Sequence, residues 1–475
     1  MFAFIRTRAW SIPLVLFVLN AALKLIFLSS NPVALDEPFT IFYAQPEFVR
    51  MLHIHLADNT PPLFDVLLFF WIKGFGTGAF SVRFLPMLFS SCTVIFVYLA
   101  GKRIAGMISG LTAALLFTFS TFHMYFAHEA RAYSLFALLS SASLYYYFCL
   151  DERGSRRYFS GFIISNVLLA YTHYFGFLVI GAELVFSFLF LKSFPFVFRK
   201  IWLGFITWLA LISPLLLFVL KRYHTVRKTG FWVTAPPWDA WYENIRKFCN
   251  EPVVAVCFLV FLVSGTVMLI RKRAYRGNPP LLILPLWFVG IYFALFGFSF
   301  WIPVFLDRYL IFLSIPLYLF IGMCIPLLSA RRNYQLLLAL CLSLGMAVTL
   351  NLKPGNDRDP VGMAAFVNAQ KDSATAVYIA PPWLDKGLMY YCRPDLFNDE
   401  AHFDQRMEQE HWFRVYNLQE ISGKLLPGTH RVVYAASGSA WLGEGAGALP
   451  DSIPGFHRIL LRKFGLTDAV LVFER

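Results

Sequence analysis

"RTRAWSIPLVLFVLNAALKLIFLSSNPVALDEPFT", residues 6–40, decides the class of this protein. Arg6 and Arg8 precede an apolar run of about 20 residues, the length a helix needs to cross a hydrocarbon core. The run ends in an acidic pair, Asp36 and Glu37, followed by Pro38. Its apolar core is longer than that of a secretory signal, and "SSNPVALDE" is not a convincing small-residue cleavage site. The segment therefore reads as a retained span that starts on the basic, inner side of a membrane.

Runs of the same kind recur. Spans are expected near 10–29, 80–100, 107–126, 132–150, 158–173, 175–192, 200–220, 252–270, 280–298, 309–328 and 333–350, about eleven in all. The composition agrees: 58% of residues are hydrophobic, 18% aromatic and 15% charged, against about 25% charged in a soluble domain. A membrane β-barrel shows short alternating segments, and these runs do not alternate. The fold class is an α-helical polytopic membrane protein. "PPLFDVLLFFWIKG", Pro61–Gly74, is apolar but short, and reads as an interfacial helix on the outer face. The seven cysteines form no Cys-x-x-Cys pair and lie mostly in apolar runs; only Cys249 and Cys392 lie outside them, so no disulfide framework is expected.

The net charge of +13 would suggest nucleic acid in a soluble chain. Here the expected inner turns are all basic: Arg6/Arg8, Lys102/Arg103, "DERGSRR" (151–157), Lys192 with Arg199/Lys200, "RKRAYR" (271–276) and Arg331/Arg332. That is the positive-inside pattern, and no nucleic-acid partner is expected. The outer side receives 35–60, "HEARAY" (128–133), "THYFG" (172–176), a long loop at 221–252, "WIPVFLDRY" (301–309) and the C-terminal tail. Beyond 351 the apolar runs shorten and Gly, Pro, Asp and Asn appear. "TAVYIAPP", "RVVYAAS" and "DAVLVFER" read as strands of a soluble α/β domain. The expected organisation is a transmembrane domain at 1–350, with outer juxtamembrane helices near 36–74, and an extracytoplasmic domain at 351–475.

The outer level collects ionisable groups. Asp36, Glu37, Asp58, Glu129 and Asp307 are acidic; His53, His55, His128, His173 and His224 are there; Arg83, Arg131, Arg222, Arg227, Lys228 and Arg308 are cations, and Tyr133, Tyr174 and Tyr309 add phenols. Such groups near apolar spans are costly and face a cavity or the bundle interior. A polar cavity at the membrane surface suits a lipid-linked phosphate: the tail stays in the bilayer, arginines hold the phosphate, and a carboxylate serves as base toward an attacking hydroxyl or amine. Each residue also has a plainer reading. Asp36 fits a helix N-cap, with Glu37 and Pro38 in the first turn. Arg83 fits snorkelling to headgroups, Glu129 and Arg131 an ion pair across a tight turn, and Lys221–Lys228 contact with anionic lipid.

Six stretches together resemble the GT-C type integral-membrane glycosyltransferases, with likeness to glycosyltransferase family 39 and its protein O-mannosyltransferase and lipid A aminoarabinose transferase relatives. They are "LDEPFT" (35–40), "DNTPPLF" (58–64), "SVRFLP" (81–86), "HEARAYSLF" (128–136), "YTHYFG" (171–176) and "DRYLIFLSIP" (307–316). The resemblance implies a GT-C fold and transfer of a sugar, hexosyl or pentosyl, from a polyprenyl-monophosphate donor to a lipid, glycan or protein acceptor on the periplasmic face of a bacterial-type inner membrane. It implies Asp36 as base supported by Glu37, and a donor-phosphate set of Arg131, Arg308, Tyr309 and Arg83. Asp58, Asn59, His128, Glu129, His173, Arg222 and Lys228 are further cavity candidates. Asn59 and Thr60 stand where the aminoarabinose transferases carry Glu-Lys before the paired prolines, so a metal ligand and a phosphate lysine are not carried over. No cofactor is required, and a divalent metal stays an open alternative. The competing reading is a transporter or flippase of lipid-linked sugars, which would carry repeated halves and broken helices at the midplane; no halves repeat here.

Overall fold

The computed structural model describes residues 2–56, 60–150, 156–190, 195–229, 233–276, 278, 280–438 and 452–475. In chain order, α1 (Phe2–Leu25) carries the first apolar run, and α2 (Glu37–Tyr43), α3 (Phe48–His55) and α4 (Leu63–Phe75) follow as short helices. Next come α5 (Ala79–Ala105), α6 (Met107–Thr118), α7 (Thr121–Ala127), α8 (Tyr133–Phe148), α9 (Arg156–Thr172) and α10 (Gly176–Leu189). Then follow α11 (Pro195–Ile212), α12 (Leu215–Thr229), α13 (Ala240–Phe248) and α14 (Pro252–Lys272). Helices α15 (Pro280–Pro285) and α16 (Tyr292–Phe298) are joined by a π-helical turn, and α17 (Ile311–Leu328) and α18 (Arg332–Val348) complete the apolar series.

Each expected span falls on one of these helices or, at 107–126, 200–220 and 280–298, on consecutive ones, but not every helix crosses unaided. Among the described residues, Ala79–Ala105, Pro252–Lys272, Pro280–Phe298 and Asp307–Leu328 are long and apolar enough to span. Two more spans are bent pairs, Met107–Thr118 with Thr121–Ala127 at 59° and Arg199–Ile212 with Leu215–His224 at 66°. Length and composition thus give four to six crossings, where hydropathy alone predicts about eleven. The chain is a multi-pass membrane protein.

The chain divides into two compact units. The first comprises 1–28, 52–67 and 83–354. Its centre is α17, apolar all round and almost wholly buried, as a helix without a polar stripe must be. Close helix approach surrounds it. A Cβ on Gly110 would lie 2.4 Å from the Tyr98 carbonyl oxygen, and one on Gly322 2.5 Å from that of Ser109, so α6 meets both α5 and α17 at backbone distance.

The break between α6 and α7 frees backbone groups that an apolar bundle cannot leave unpaired. Asn250 closes it. Its Oδ1 accepts the Thr121 N–H at 2.7 Å, and its Nδ2 reaches the carbonyls of Phe119 (2.9 Å) and Met346 (3.0 Å). One side chain therefore joins the kink to the α13–α14 turn and the end of α18. Asn250 itself sits at φ 65°, a left-handed conformation that asparagine tolerates.

The second unit comprises 29–51, 68–82 and 355–475. Its C-terminal part runs α19 (Pro360–Gln370), β1 (Thr375–Ala380), α20 (Leu384–Cys392), α21 (Pro394–Phe397), α22 (Phe403–Gln409), β2 (Trp412–Arg414), β3 (Arg431–Ser437), β4 (Ser452–Ile453), β5 (Phe456–Phe464) and β6 (Asp468–Glu474). The sheet order is β2-β1-β3-β6-β5-β4. β1 pairs parallel with β2 and β3, and the β3–β6, β6–β5 and β5–β4 pairs are antiparallel. The three strands expected from sequence are β1, β3 and β6; all are apolar runs buried along nearly their whole length, the mark of strands covered on both faces. β5, "FHRILLRKF", is largely exposed and its basic residues interrupt any apolar run. The sequence places a boundary at 350/351 and groups 36–74 with the spans; the contacts divide the chain at 354/355 and group 29–51 and 68–82 with the sheet.

Asn250→Ala removes one donor and one acceptor side at a buried kink. Each orphaned group costs about 1–3 kcal/mol, so the variant is expected to lower the thermal midpoint of the detergent-solubilised protein by several degrees, while Asn250→Gly, which keeps only the backbone conformation, does not rescue it.

Candidate active site

The acidic pair lies in the second unit, at the start of α2. Asp36 occupies the N-cap position, yet its backbone is helical (φ −85°, ψ −15°) and its carboxylate makes no capping bond. The cap reading of the sequence does not describe it. The main chain of Asp36 does the local work instead: its carbonyl accepts the Thr40 N–H at 3.3 Å and the Thr40 hydroxyl at 3.4 Å. Glu37 is buried (3% exposed), whereas Asp36 is half-buried. Leu35, just before, is held at φ 57°, where a β-carbon costs about 1–2 kcal/mol; the surrounding packing must hold it.

That packing comes from the C-terminal part of the same unit. Tyr391 in α20 clamps Val33, its hydroxyl 2.5 Å from the Val33 nitrogen and 3.2 Å from its carbonyl oxygen. Phe42 of α2 meets Phe397 and Phe403 at ring-centre distances of 5.4 and 4.7 Å. The Lys386 ammonium lies 4.6 Å from the Phe42 ring centre and 4.1 Å from that of Phe403, and it pairs with Asp385 at 2.7 Å. Asp385 also receives Arg414 at 2.6 Å. Gln45 donates to the Phe397 carbonyl at 3.3 Å. The segment bearing the acidic pair is thus seated on α20 and α21.

In the first unit the outer candidates fall into two groups. One is built around His173, in the turn between α9 and α10. Its ring stacks on Phe136 (4.7 Å, 14°) and lies 5.3 Å from Tyr309 and 6.4 Å from Tyr133. The Arg131 guanidinium lies 6.0 Å from the Tyr133 ring and that of Arg308 5.8 Å from the Tyr309 ring. Both positive charges act on His173. Arg131 is set by a tight turn, its N–H reaching the Glu129 carbonyl at 2.7 Å. Arg308 is set by Asp307, whose Oδ1 accepts the Arg308 N–H at 2.7 Å while Oδ2 takes Lys247 at 2.7 Å. Arg131, His173, Arg308 and Tyr309, far apart in sequence, are therefore brought together.

The second group surrounds Lys24. This lysine of α1 is fully buried, 2.5 Å from Ser90 Oγ and 4.7 Å from the Phe117 ring centre. His128 Nε2 lies 2.7 Å from the Lys24 carbonyl oxygen, and Arg83, also buried, donates to the Leu28 carbonyl at 3.4 Å. Arg83 and His128 thus both contact the end of α1 and the residues after it. The sequence reading passes over Lys24 because it sits inside the first apolar run. A signal exists: Asn20 lies four residues earlier, on the same helix face, and bonds Thr118 at 3.1 Å.

Glu129 is buried and Arg222 is half-buried on α12. Asp58, Asn59 and the Lys228 side chain lie outside the described residues. The segment holding Asp58 and Asn59 is flanked by a buried pair, His55 Nε2 and Asp65 Oδ1, 3.8 Å apart, which joins α3 to α4. Among the described residues no three His, Cys, Asp or Glu side chains converge on a point fit for a metal ion.

Two variants test the seat of α2. Phe42→Ala opens a cavity worth about 3–5 kcal/mol, and is expected to make residues 29–51 sensitive to protease while the β-sheet core stays resistant. Lys386 is held below its ordinary pKa, by burial first and against the opposing pull of Asp385. A lysine depressed in the folded state binds fewer protons there than when unfolded. Stability therefore rises with pH from the folded value up to about 10.4, the unfolded one. Lys386→Met is expected to abolish that rise in the thermal midpoint.

Residues 59–218 match the sequence profile of the dolichyl-phosphate-mannose-protein mannosyltransferase family. No curated protein matches the sequence. The structure is similar to that of ArnT from Cupriavidus metallidurans bound to undecaprenyl phosphate, with 14% identity, 97% of each chain covered and a TM-score of 0.63. The apo state of that protein gives 14%, 98% of each chain and 0.64. It is also similar to the oligosaccharyltransferase of Archaeoglobus fulgidus in complex with Zn and sulfate, at 11% identity and a TM-score of 0.52, covering 88% of this chain and 67% of that one. The chain is built on the GT-C fold of the membrane glycosyltransferases.

Proposed function

We propose that this chain transfers one sugar, hexosyl or pentosyl, from a polyprenyl-monophosphate donor to a lipid, glycan or protein acceptor. The transfer takes place on the periplasmic face of an inner membrane that the chain crosses from a cytoplasmic N-terminus, with the C-terminal domain on the outer side. The observation that carries the reading is the His173 group: one imidazole, two guanidiniums and two phenols gathered from three separate chain segments, in a protein with the GT-C fold. The ArnT structure that it matches holds undecaprenyl phosphate, a ligand of the proposed class.

Arg131 and Arg308 bind the phosphate oxygens and Tyr309 donates a hydrogen bond; charge that develops on the leaving phosphate is stabilised there, so no general acid is needed. Arg83 adds to the positive field near α1. Asp36 accepts the proton of the acceptor as its oxygen or nitrogen attacks the anomeric carbon, and the phosphate leaves from the opposite face, inverting that carbon in one displacement. Asp36 takes this role before Glu37 because it is the more accessible of the two and its carboxylate is not used as a cap. Glu37 supports the start of α2.

The test is transfer from labelled polyprenyl-phosphate sugars in membranes. Asp36→Asn is expected to lower kcat by about 10²–10⁴-fold, the usual share of a general base, with donor affinity retained. Arg308→Ala is expected to weaken the donor by about 10–100-fold, the loss of a charged hydrogen bond. Wild-type turnover by Asp36→Asn overturns its assignment as base, and a reporter after Arg475 that reads as cytoplasmic overturns the sidedness.

A further inference from the structure

Glu183 takes no part in the reaction above, yet it is a carboxyl group with no exposed surface in the apolar helix α10. Its partners are two neutral side chains from neighbouring helices. Glu183 Oε1 lies 2.5 Å from Ser143 Oγ of α8. Glu183 Oε2 lies 3.0 Å from Asn166 Nδ2 of α9. Ser143 Oγ and Asn166 Oδ1 are 2.8 Å apart, which closes a ring of three contacts. No basic side chain pairs with Glu183 among the described residues; the other polar groups at hand are Ser187, whose hydroxyl donates to the Glu183 carbonyl at 2.6 Å, and Tyr147, 3.1 Å from Ser187 Oγ.

Counting hydrogens decides the state of the acid. Three contacts need three donors. Ser143 has a single hydroxyl hydrogen, and the asparagine amide directs one N–H into the ring and one oxygen that only accepts. Turning the amide over exchanges its two contacts but leaves the count at two. The third hydrogen must come from Glu183. An ionised carboxylate would set two acceptors 2.5–2.8 Å from one hydroxyl, with no cation to offset the burial of its charge. The ring is complete when Glu183 donates to Ser143, Ser143 to Asn166 and Asn166 back to Glu183.

Glu183 and Asn166 line a groove between α9, α10 and α11, together with Phe162, Ile163, Ile180, Leu184, Ile201 and Phe205. Leu184 and Phe205 are half-exposed at its mouth. The groove presents apolar atoms only, so a reagent that approaches Glu183 comes from the bilayer and not from water. We propose that Glu183 is a neutral carboxylic acid, closed in a ring with Ser143 and Asn166, and that it is a modification site for apolar carboxyl-directed reagents of the carbodiimide class. The acid proton passes to one carbodiimide nitrogen while the carboxyl oxygen bonds to the central carbon. Shift of the acyl group from that oxygen to nitrogen then gives an N-acylurea that retains every atom of both reactants.

The test uses the full chain in detergent or nanodiscs at pH 7, with Glu183→Gln as reference. The amide keeps the ring, its NH₂ donating to Ser143 and its oxygen accepting from Asn166, so the variant is expected to fold with an unchanged thermal midpoint. The infrared difference between the two proteins is expected to show loss of a protonated-acid carbonyl band; loss of carboxylate bands instead overturns the neutral acid. Dicyclohexylcarbodiimide is expected to add its full mass to the peptide bearing Glu183 and to leave the Gln variant's peptide unchanged. A wild-type peptide without the adduct overturns the modification site, whatever the infrared result.

Discussion

Every polar group placed inside an apolar bundle needs a partner within the protein, because the lipid offers none. Much of the first unit follows from this constraint. Where α6 breaks before α7, Asn250 reaches in from the α13–α14 turn to satisfy both sides of the gap. Lys24 lies against Ser90 and an aromatic face. Thr112, Thr118 and Thr172 return their hydroxyls to carbonyls four residues earlier, at 2.8 Å. Small residues let the helices come close enough for such contacts, as at Gly110 and Gly322. Asn250 and Lys24 act as cross-links between helices, and their partners fix which helices are neighbours.

Each unit positions its own candidate residues by different means. The first supplies a cationic, aromatic cluster around His173, whose members hang from the α7–α8 turn, the α9–α10 turn and the segment before α17. The second supplies the acidic pair, and there the positioning is done by hydrophobic contact. Glu37 is buried and Phe42 is wedged against Phe397 and Phe403. The exposure of Asp36 is then a consequence of how α2 is seated: burying Glu37 and Pro38 leaves the preceding residue toward the surface.

Much of the architecture is legible in the sequence, for a physical reason. Spans and doubly covered strands are long apolar runs, and β1, β3 and β6 stand out as clearly as α14 or α17. What depends on single polar residues is not legible. The α6–α7 break lies in "FTFST", where serine and threonine do not forbid a helix, and only Asn250, about 130 residues later, shows how the break is satisfied. β5 escapes because His457, Arg458, Arg462 and Lys463 interrupt its apolar residues. For the candidate site, the cationic motifs can be read from the charges. The contacts of Arg83 and His128 with the end of α1 cannot, because they depend on which helix turns face each other. Asp36 as a cap is what local propensity predicts, and tertiary packing of α2 overrides it.

The seat of α2 joins segments that are made far apart in time. Val33 and its clamp Tyr391 are 358 residues apart. A ribosome that adds about 5–20 residues per second makes the acidic segment well before its support. For that interval the segment bearing Asp36 has been made without the helices it docks on, and a chain that stops before α20 can insert its apolar helices and still lack a seated α2. The acidic pair is therefore seated only on a chain that has been translated through α20, α21 and the start of α22.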